Sequence, residues 1–372
     1  MRAFVFTDKA LERYAGQFVW LAVDTENSAN ASFLTKYPIS VWPTLMIIDP
    51  KKESVALRYA GGASLPQLTK LLSDGEKAVR GTKSKADEAI ARGDRLASDK
   101  KMAEAAAAYD EAIREAPKNW SRLGRAAESL SYALYSARDY ERCAARALEL
   151  YPRVKGTYAA FNVSSNGLAC ASEKPENRAT LDALEKATRE TLDNPKIPLA
   201  GDDRSGLYET LIGAREAVKD EEGAHKLREE WATFLEGEAK RAKTAEQRAV
   251  YDSHRLSAYL ALKQPERAIP MLEESERDFP SDYNPPARLG VAYRTMGKYD
   301  DALAAFDRAL AKAYGPRKIG ILRGKADTYA AKGDKESARR TIEEAIRFAE
   351  SLPVGQRSDA TIASLKKRLE TL

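Results

Sequence analysis

Residues 287–316 read "ARLGVAYRTMGKYDDALAAFDRALAKAYGP". Leu289 and Gly290 are followed by Tyr293, Gly297 marks a turn, Ala302, Phe306 and Ala309 recur at helical spacing, and Pro316 lies just beyond. Apolar positions three and four apart put one face of each segment against a neighbour. A glycine between two such segments supplies a left-handed turn at little cost. The stretch therefore predicts two antiparallel helices. Gly290 and Ala302 let their backbones approach closely, and Tyr293 and Phe306 fill the space beside them.

Working outward, the pattern returns. It is visible in 93–120, with Gly93, Ala105, Tyr109, Ala112 and Pro117, and in 254–280, with Tyr259, Ala268, Leu272 and Pro280. It appears again in 324–348, with Tyr329, Gly333, Ala338 and Ala345. Three weaker copies lie between, where Cys143, Ala179 and Ala224 take the small-residue place of Ala302. Successive small residues stand 38, 36, 45, 44, 34 and 36 apart. The two long intervals predict longer helices at about 205–242. From these residues the region resembles the tetratricopeptide repeat (TPR) family. The resemblance implies about seven helix pairs over 85–355, closed by a more polar capping helix over 356–372. Such pairs stack into a superhelix, an α-solenoid, whose concave side is lined by the first helix of each pair. Offset from the packed positions places Ser257, Val291, Arg294, Arg323 and Asp327 on that side, a groove for an extended peptide or a partner helix. The arginines point weakly to an acidic or carboxylate-bearing ligand. One TPR subclass grips chaperone C-terminal carboxylates with paired lysines and asparagines. Asp94 and Tyr132 stand where its asparagines would be wanted, so that ligand is not expected.

Before residue 74 the signals alternate. "QFVWLAVD" (17–24) has the content of a buried strand, and "SANASFLTKY" (28–37) opens with a capping serine and continues as a helix. "VWPTLMIIDP" (41–50), a turn at Lys51-Lys52 and "SVALRYAG" (54–61) read as two further strands, with a helix from Ser64 to Leu72. Residues 75–84 form a polar linker. This order resembles the C-terminal two-thirds of the thioredoxin fold, the specific match being Trp42-Pro43-Thr44 entering an apolar strand. The resemblance implies a cis Trp42–Pro43 bond, in a loop that in that family lies against a Cys-x-x-Cys pair. The helix read over 1–16 would be the one that such a pair opens, with Met1 where several thioredoxin-like families carry a methionine. The first strand, first helix and central strand have no counterpart. Unpaired neighbours of a missing strand cost ~1–3 kcal/mol per buried group, which favours a start codon placed late within a longer reading frame over a truncated domain. The fold expected is thus an α+β, partial thioredoxin-like domain (1–74) followed by an all-α array, mostly α overall.

The remaining composition limits the chemistry. The 61 basic and 56 acidic residues leave a net charge of +5, too little concentrated for nucleic acid to be a partner. No apolar run approaches the ~18 residues of a membrane span. Two cysteines and two histidines in 372 residues offer no metal-ligand spacing, and no phosphate-cradling or nucleophile motif is present. No catalytic residue, metal or cofactor is therefore expected. Cys143 and Cys170 read as buried, inert packing thiols, with a disulfide between them geometrically conceivable. His225 and His254 read as surface, Trp20 and Trp42 as core or near it, Trp231 as helix packing, and Trp120 as partly exposed. The function expected is a scaffold that binds a protein or peptide partner and whose thioredoxin-like part lacks its dithiol. The alternative is a thiol–disulfide oxidoreductase whose Cys-x-x-Cys lies upstream of Met1, with the array selecting its substrate. The expected compartment is cytoplasmic as written, and periplasmic if a signal peptide precedes Met1. The oligomeric state is not legible.

Overall fold

The structure is a computed structural model describing residues 5–39, 41–81 and 84–372. It is mostly helical and carries a single two-stranded sheet among the described residues. The chain divides into two compact units. One comprises the residues up to Ala15 together with Ile39–Trp231, and the other Gly16–Pro38 together with Ala232–Leu372.

In the first unit Thr44–Asp49 (β1) pairs antiparallel with Ser54–Ala60 (β2), from Thr44 opposite Ala60 to Asp49 opposite Ser54. The Lys51 amide donates to the Asp49 carboxylate at 2.9 Å and closes the turn. The Trp42–Pro43 bond directly before β1 is cis, as the resemblance implies. The expected strand 17–24 does not form: among the described residues this stretch carries no strand, and it belongs to the other unit. Val19 and Leu21 are 87% and 73% exposed, and Trp20 and Trp42 are exposed rather than core. An apolar, β-branched run becomes a strand only where a neighbouring strand pairs with its backbone, and the sheet among the described residues comprises β1 and β2 alone. A three-residue longer reading of helix 28–37 is also corrected. A 3-10 turn over Ser28–Asn30, capped by the Asn27 side chain, leads into α1 (Ala31–Lys36). The helix expected over 1–16 is a 3-10 segment at Lys9–Tyr14, and Met1 lies outside the described residues.

The helix expected over 64–72 extends as α2 to Leu65–Arg80, taking in most of the expected linker. Gly75 does not break it. A Cβ there would meet the Ile47 side chain, so this glycine is what lets α2 lie on β1. Four helix pairs follow: α3 (Lys85–Ser98) with α4 (Met102–Arg114), and α5 (Leu123–Ser136) with α6 (Tyr140–Val154). Then come α7 (Ala159–Ser172) with α8 (Arg178–Asp193), and α9 (Gly201–Ala217) with α10 (Glu221–Arg241). At 17 and 21 residues, α9 and α10 are long where the spacing predicts it. A Cβ on Gly93 would stand 2.5 Å from the Tyr109 ring, which is the close helix approach read from the sequence. Cys143 and Ala224 are fully buried in the places expected of small residues. Ala179 is not: it sits exposed in the first turn of α8, and Leu181 and Leu184 carry the packing. In that pair the small residue is on the first helix, at Gly167, whose Cβ would collide with Ala147. Cys143 and Cys170 are not free thiols. A disulfide joins them from α6 to α7, with Cα atoms 6.1 Å apart and no exposure of either residue.

The second unit contains the short α11 (Ala245–Ala249), then α12 (Asp252–Ala261) and α13 (Ile269–Asp278), which a 3-10 turn at Pro265–Ala268 precedes. Next are α14 (Asn284–Thr295), α15 (Tyr299–Lys312), α16 (Arg317–Lys332), α17 (Lys335–Ser351) and α18 (Asp359–Glu370). Phe306 and Ala302 lie at the centre of one core cluster, and Cβ atoms on Gly290 and Gly324 would stand 2.7 and 2.9 Å from the Phe306 ring. Ile362 and Leu365 of α18 seal a second cluster with Ile342 and Ile346 of α17. Ala31 and Leu34 of α1 and the adjoining Tyr37 are buried. No helix among the described residues is long and apolar enough to cross a membrane.

Candidate functional site

The first helices of the first unit are α3, α5, α7 and α9, and the chain's own α2 and β2 pack against α3, α5 and α7. Arg122, at the entry to α5, donates from Nε to Asp74 of α2 at 2.9 Å and from Nη1 to Asp87 of α3 at 2.9 Å. All but a twentieth of the Arg122 and Asp74 side chains is buried. Beside this pair Asp94 of α3 accepts from Arg125 of α5 and, at 2.9 Å, from the Tyr109 hydroxyl. Burial pushes the Asp94 carboxyl up, against the pull of Arg125 and of the Arg58 amide of β2.

A second polar cluster adjoins it. Gln67 of α2 donates to the Tyr59 hydroxyl at 2.7 Å and to Glu128 of α5 at 3.1 Å. Asn162 of α7 donates to the same Glu128 oxygen at 3.3 Å and to Tyr59 at 3.4 Å. The Tyr158 hydroxyl donates to the Gly62 carbonyl at 3.4 Å. Burial raises Glu128 to about 7 although Asn162 and Arg125 oppose it, and burial with Asp202 raises Asp203 to about 7. Arg58, Tyr59, Asp94 and Glu128 are all buried. The face is structural, and Asp94 is no open ligand position.

In the second unit the five expected groove residues fall on first helices: Ser257 on α12, Val291 and Arg294 on α14, Arg323 and Asp327 on α16. Three are brought into different roles than the sequence alone suggests. Val291 packs against the Phe306 cluster. Asp327 lies 3.6 Å from Arg294 and accepts two hydrogen bonds, at 3.2 and 3.0 Å, from Arg368 of α18. Arg294 also donates to the Gly324 carbonyl at 3.4 Å. Ser257 and Arg323 are exposed. Arg368 was missed by sequence reasoning because α18 was read as a polar cap. Its last-turn cation opposite the Asp327 helix was the available signal. Together the arrangement sets two guanidinium groups, 29% and 38% exposed, against one carboxylate. Among the described residues no cluster of three or more histidine, cysteine or carboxylate side chains could hold a metal ion.

Residues 283–351 match the family pattern of the tetratricopeptide repeat, and the chain carries such repeats. It is similar to the small glutamine-rich tetratricopeptide repeat-containing protein 2 of Saccharomyces cerevisiae, 28% identical over 116 residues. That match spans 31% of this chain and 31% of the length of the curated relative. Among solved structures it resembles BtubC from P. vanneervenii, with TM-score 0.41 and 18% identity over 57% of this chain and 91% of that one. It also resembles the TPR2AB domain of yeast Sti1, solved in a complex with a peptide of HSP90, with TM-score 0.29 and 16% identity over 77% of this chain and 98% of that one. These likenesses concern the fold alone.

Proposed function

We propose that the protein is an interaction scaffold whose second unit binds an acidic or carboxylate-bearing partner peptide along its first helices, α12, α14, α16 and α18. The observation that carries this reading is the Arg294–Asp327–Arg368 group with the exposed Arg323 on the same helix as Asp327. Paired exposed guanidinium groups recognise carboxylates by bidentate hydrogen bonds, and TPR proteins use this side of the array for extended ligands. In the first unit α2 and β2 pack against α3, α5 and α7, which leaves the second unit to receive a partner.

The thioredoxin-like reading of residues 1–74 keeps its support only in the hairpin, the cis bond and α2. The oxidoreductase alternative finds no residue in this chain to carry it, because disulfide exchange needs an accessible thiolate and Cys143 and Cys170 are joined and buried. The test is a binding titration of acidic peptide libraries on the full chain. Arg323→Ala and Arg294→Ala should each weaken the selected peptides at least tenfold, with an affinity that falls as salt rises. Arg339→Ala, on the second helix α17, should not. Equal binding by all three variants removes the reading.

A further inference from the structure

Residues 24–37 do not merely cross the second unit. Asp24 accepts from the Tyr314 hydroxyl at 2.6 Å, and the Thr25 carbonyl accepts from Gln356 Nε2 at 2.9 Å. Glu26 accepts from Arg317 Nε at 2.6 Å and from the Tyr283 hydroxyl at 3.2 Å. These donors share a position in the repeat: Tyr283 immediately precedes α14, Tyr314 and Arg317 flank the start of α16, and Gln356 precedes α18. They form a row along one edge, built from successive inter-repeat loops. Residues 24–26 form a turn in which the Asp24 carboxylate also accepts from the Glu26 amide at 2.9 Å, and this turn presents both carboxylates and the carbonyl between them to the row.

The edge is shaped for a backbone and not only for charge. A Cβ on Gly315 would collide with the Glu26 carbonyl, and one on Gly355 with the Ala31 carbonyl. The segment then turns into α1, where Ala31, Leu34 and Tyr37 are buried as apolar anchors. Burial and then Glu26 hold the Tyr283 hydroxyl up at about 12, so at neutral pH it remains a donor to the carboxylate.

We propose that this loop edge is a recognition site for an acidic peptide turn, Asp-x-Glu followed by a short apolar helical turn, with residues 24–37 as its built-in occupant. A tethered occupant reduces the apparent affinity of a free peptide by the fraction of time the site is open, so the edge would present itself to a partner only when its own segment is displaced. It is a second surface, independent of the concave-side group at Arg294 and Arg323.

The experiment uses the full chain and a fluorescein-labelled peptide of residues 22–38, AVDTENSANASFLTKYP, read by anisotropy. The double variant Asp24→Asn/Glu26→Gln should bind this peptide at least about tenfold more tightly than the native chain, because its own segment no longer competes. Adding Arg317→Ala should abolish the gain, a peptide with both carboxylates amidated should not bind, and Arg339→Ala, on the second helix α17, should leave binding unchanged. Equal binding by native and double-variant chains, or binding indifferent to Arg317→Ala, overturns the proposal. Loss of binding only on Arg323→Ala assigns the peptide to the concave side instead. A second variant makes the result independent of the double substitution. Gly355→Ala should raise amide exchange at residues 25–31 at least tenfold in an otherwise native chain. Unchanged exchange there also overturns it.

Discussion

Glu128 allows the packing of α2 and β2 on the first helices to be tested by pH. Its carboxyl is held at about 7 instead of the ordinary 4.5, chiefly by burial, with Asn162, Arg125 and Lys70 pulling the other way. A carboxyl raised on folding binds its proton more tightly in the folded chain than in the unfolded one, so it stabilises most below pH 4.5. That contribution is lost as pH rises through about 7, and above that the deficit is constant. A shift of this size corresponds to ~3 kcal/mol at 1.36 kcal/mol per pH unit. Glu128→Gln removes the titration but keeps an oxygen that can accept from Asn162 and Gln67, now at 3.3 and 3.1 Å. Urea unfolding of both chains, followed by circular dichroism between pH 4 and 8, gives the difference in stability at each pH. Asp203, also near 7 and a minor like-charge neighbour of Glu128, titrates in both chains, so most of its own contribution cancels in that difference. The variant should be close to the native chain at pH 4 and gain on it by ~3 kcal/mol by pH 8. A difference flat to within ~0.5 kcal/mol over that range, well below the linkage magnitude, refutes the account of Glu128 as a carboxyl neutral in the folded cluster.

Phe306→Ala should cost ~3–5 kcal/mol in the second unit, the range for truncating a buried ring, and Gly290→Ala ~1–3 kcal/mol by pushing against that ring; amide exchange of α14 and α15 reads both. Lys100, Arg138, Lys219 and Lys263 hold positive φ, between 59° and 62°, at the turns of their helix pairs. Each, replaced by glycine, should gain ~0.5–1 kcal/mol, since the side-chain penalty of the left-handed region exceeds the added freedom of the unfolded chain; the thermal midpoint should rise. Cys143→Ser/Cys170→Ser should lower the stability of the first unit by ~3 kcal/mol, the cost of releasing a closed loop of this order, and dithiothreitol should have that effect on the native chain alone.

The repeats were legible because helix pairing leaves a local trace. Small residues at Gly93, Ala105, Gly290 and Ala302 and rings at Tyr109 and Phe306 are close in sequence to the partners they touch. The turns were half legible: Gly297 and Gly333 are visible as left-handed positions, whereas lysine and arginine adopt the same conformation elsewhere with nothing in the residue type to announce it. Gly75 misled in the opposite sense, since a glycine that admits Ile47 looks in sequence like a break. The strand reading of 17–24 failed because β-propensity describes fitness for a pleated neighbour and not the presence of one. What packs against the first helices of the first unit was illegible for a different reason. Asp74 and Arg122 are 48 positions apart, and Gln67 and Glu128 are 61 apart, and no periodicity links such pairs.

The charges of the two units differ in what they can do, and magnitude separates them. Arg122 is almost wholly buried between Asp74 and Asp87, and removing it would strand the buried Asp74 carboxylate, a loss of ~3–5 kcal/mol. Such a pair is committed to holding α2 in place. Arg294, Asp327 and Arg368 keep about a third of each side chain in solvent, where an ion pair contributes ~0–1 kcal/mol. An arginine so weakly engaged can leave Asp327 for an incoming carboxylate at small cost, and the exchange is nearly neutral for the fold. Glu26 on Arg317 lies between these cases, with 15% of the carboxylate side chain and 51% of the arginine exposed. That is the balance required of a tethered segment, strong enough to seat itself and weak enough to be displaced.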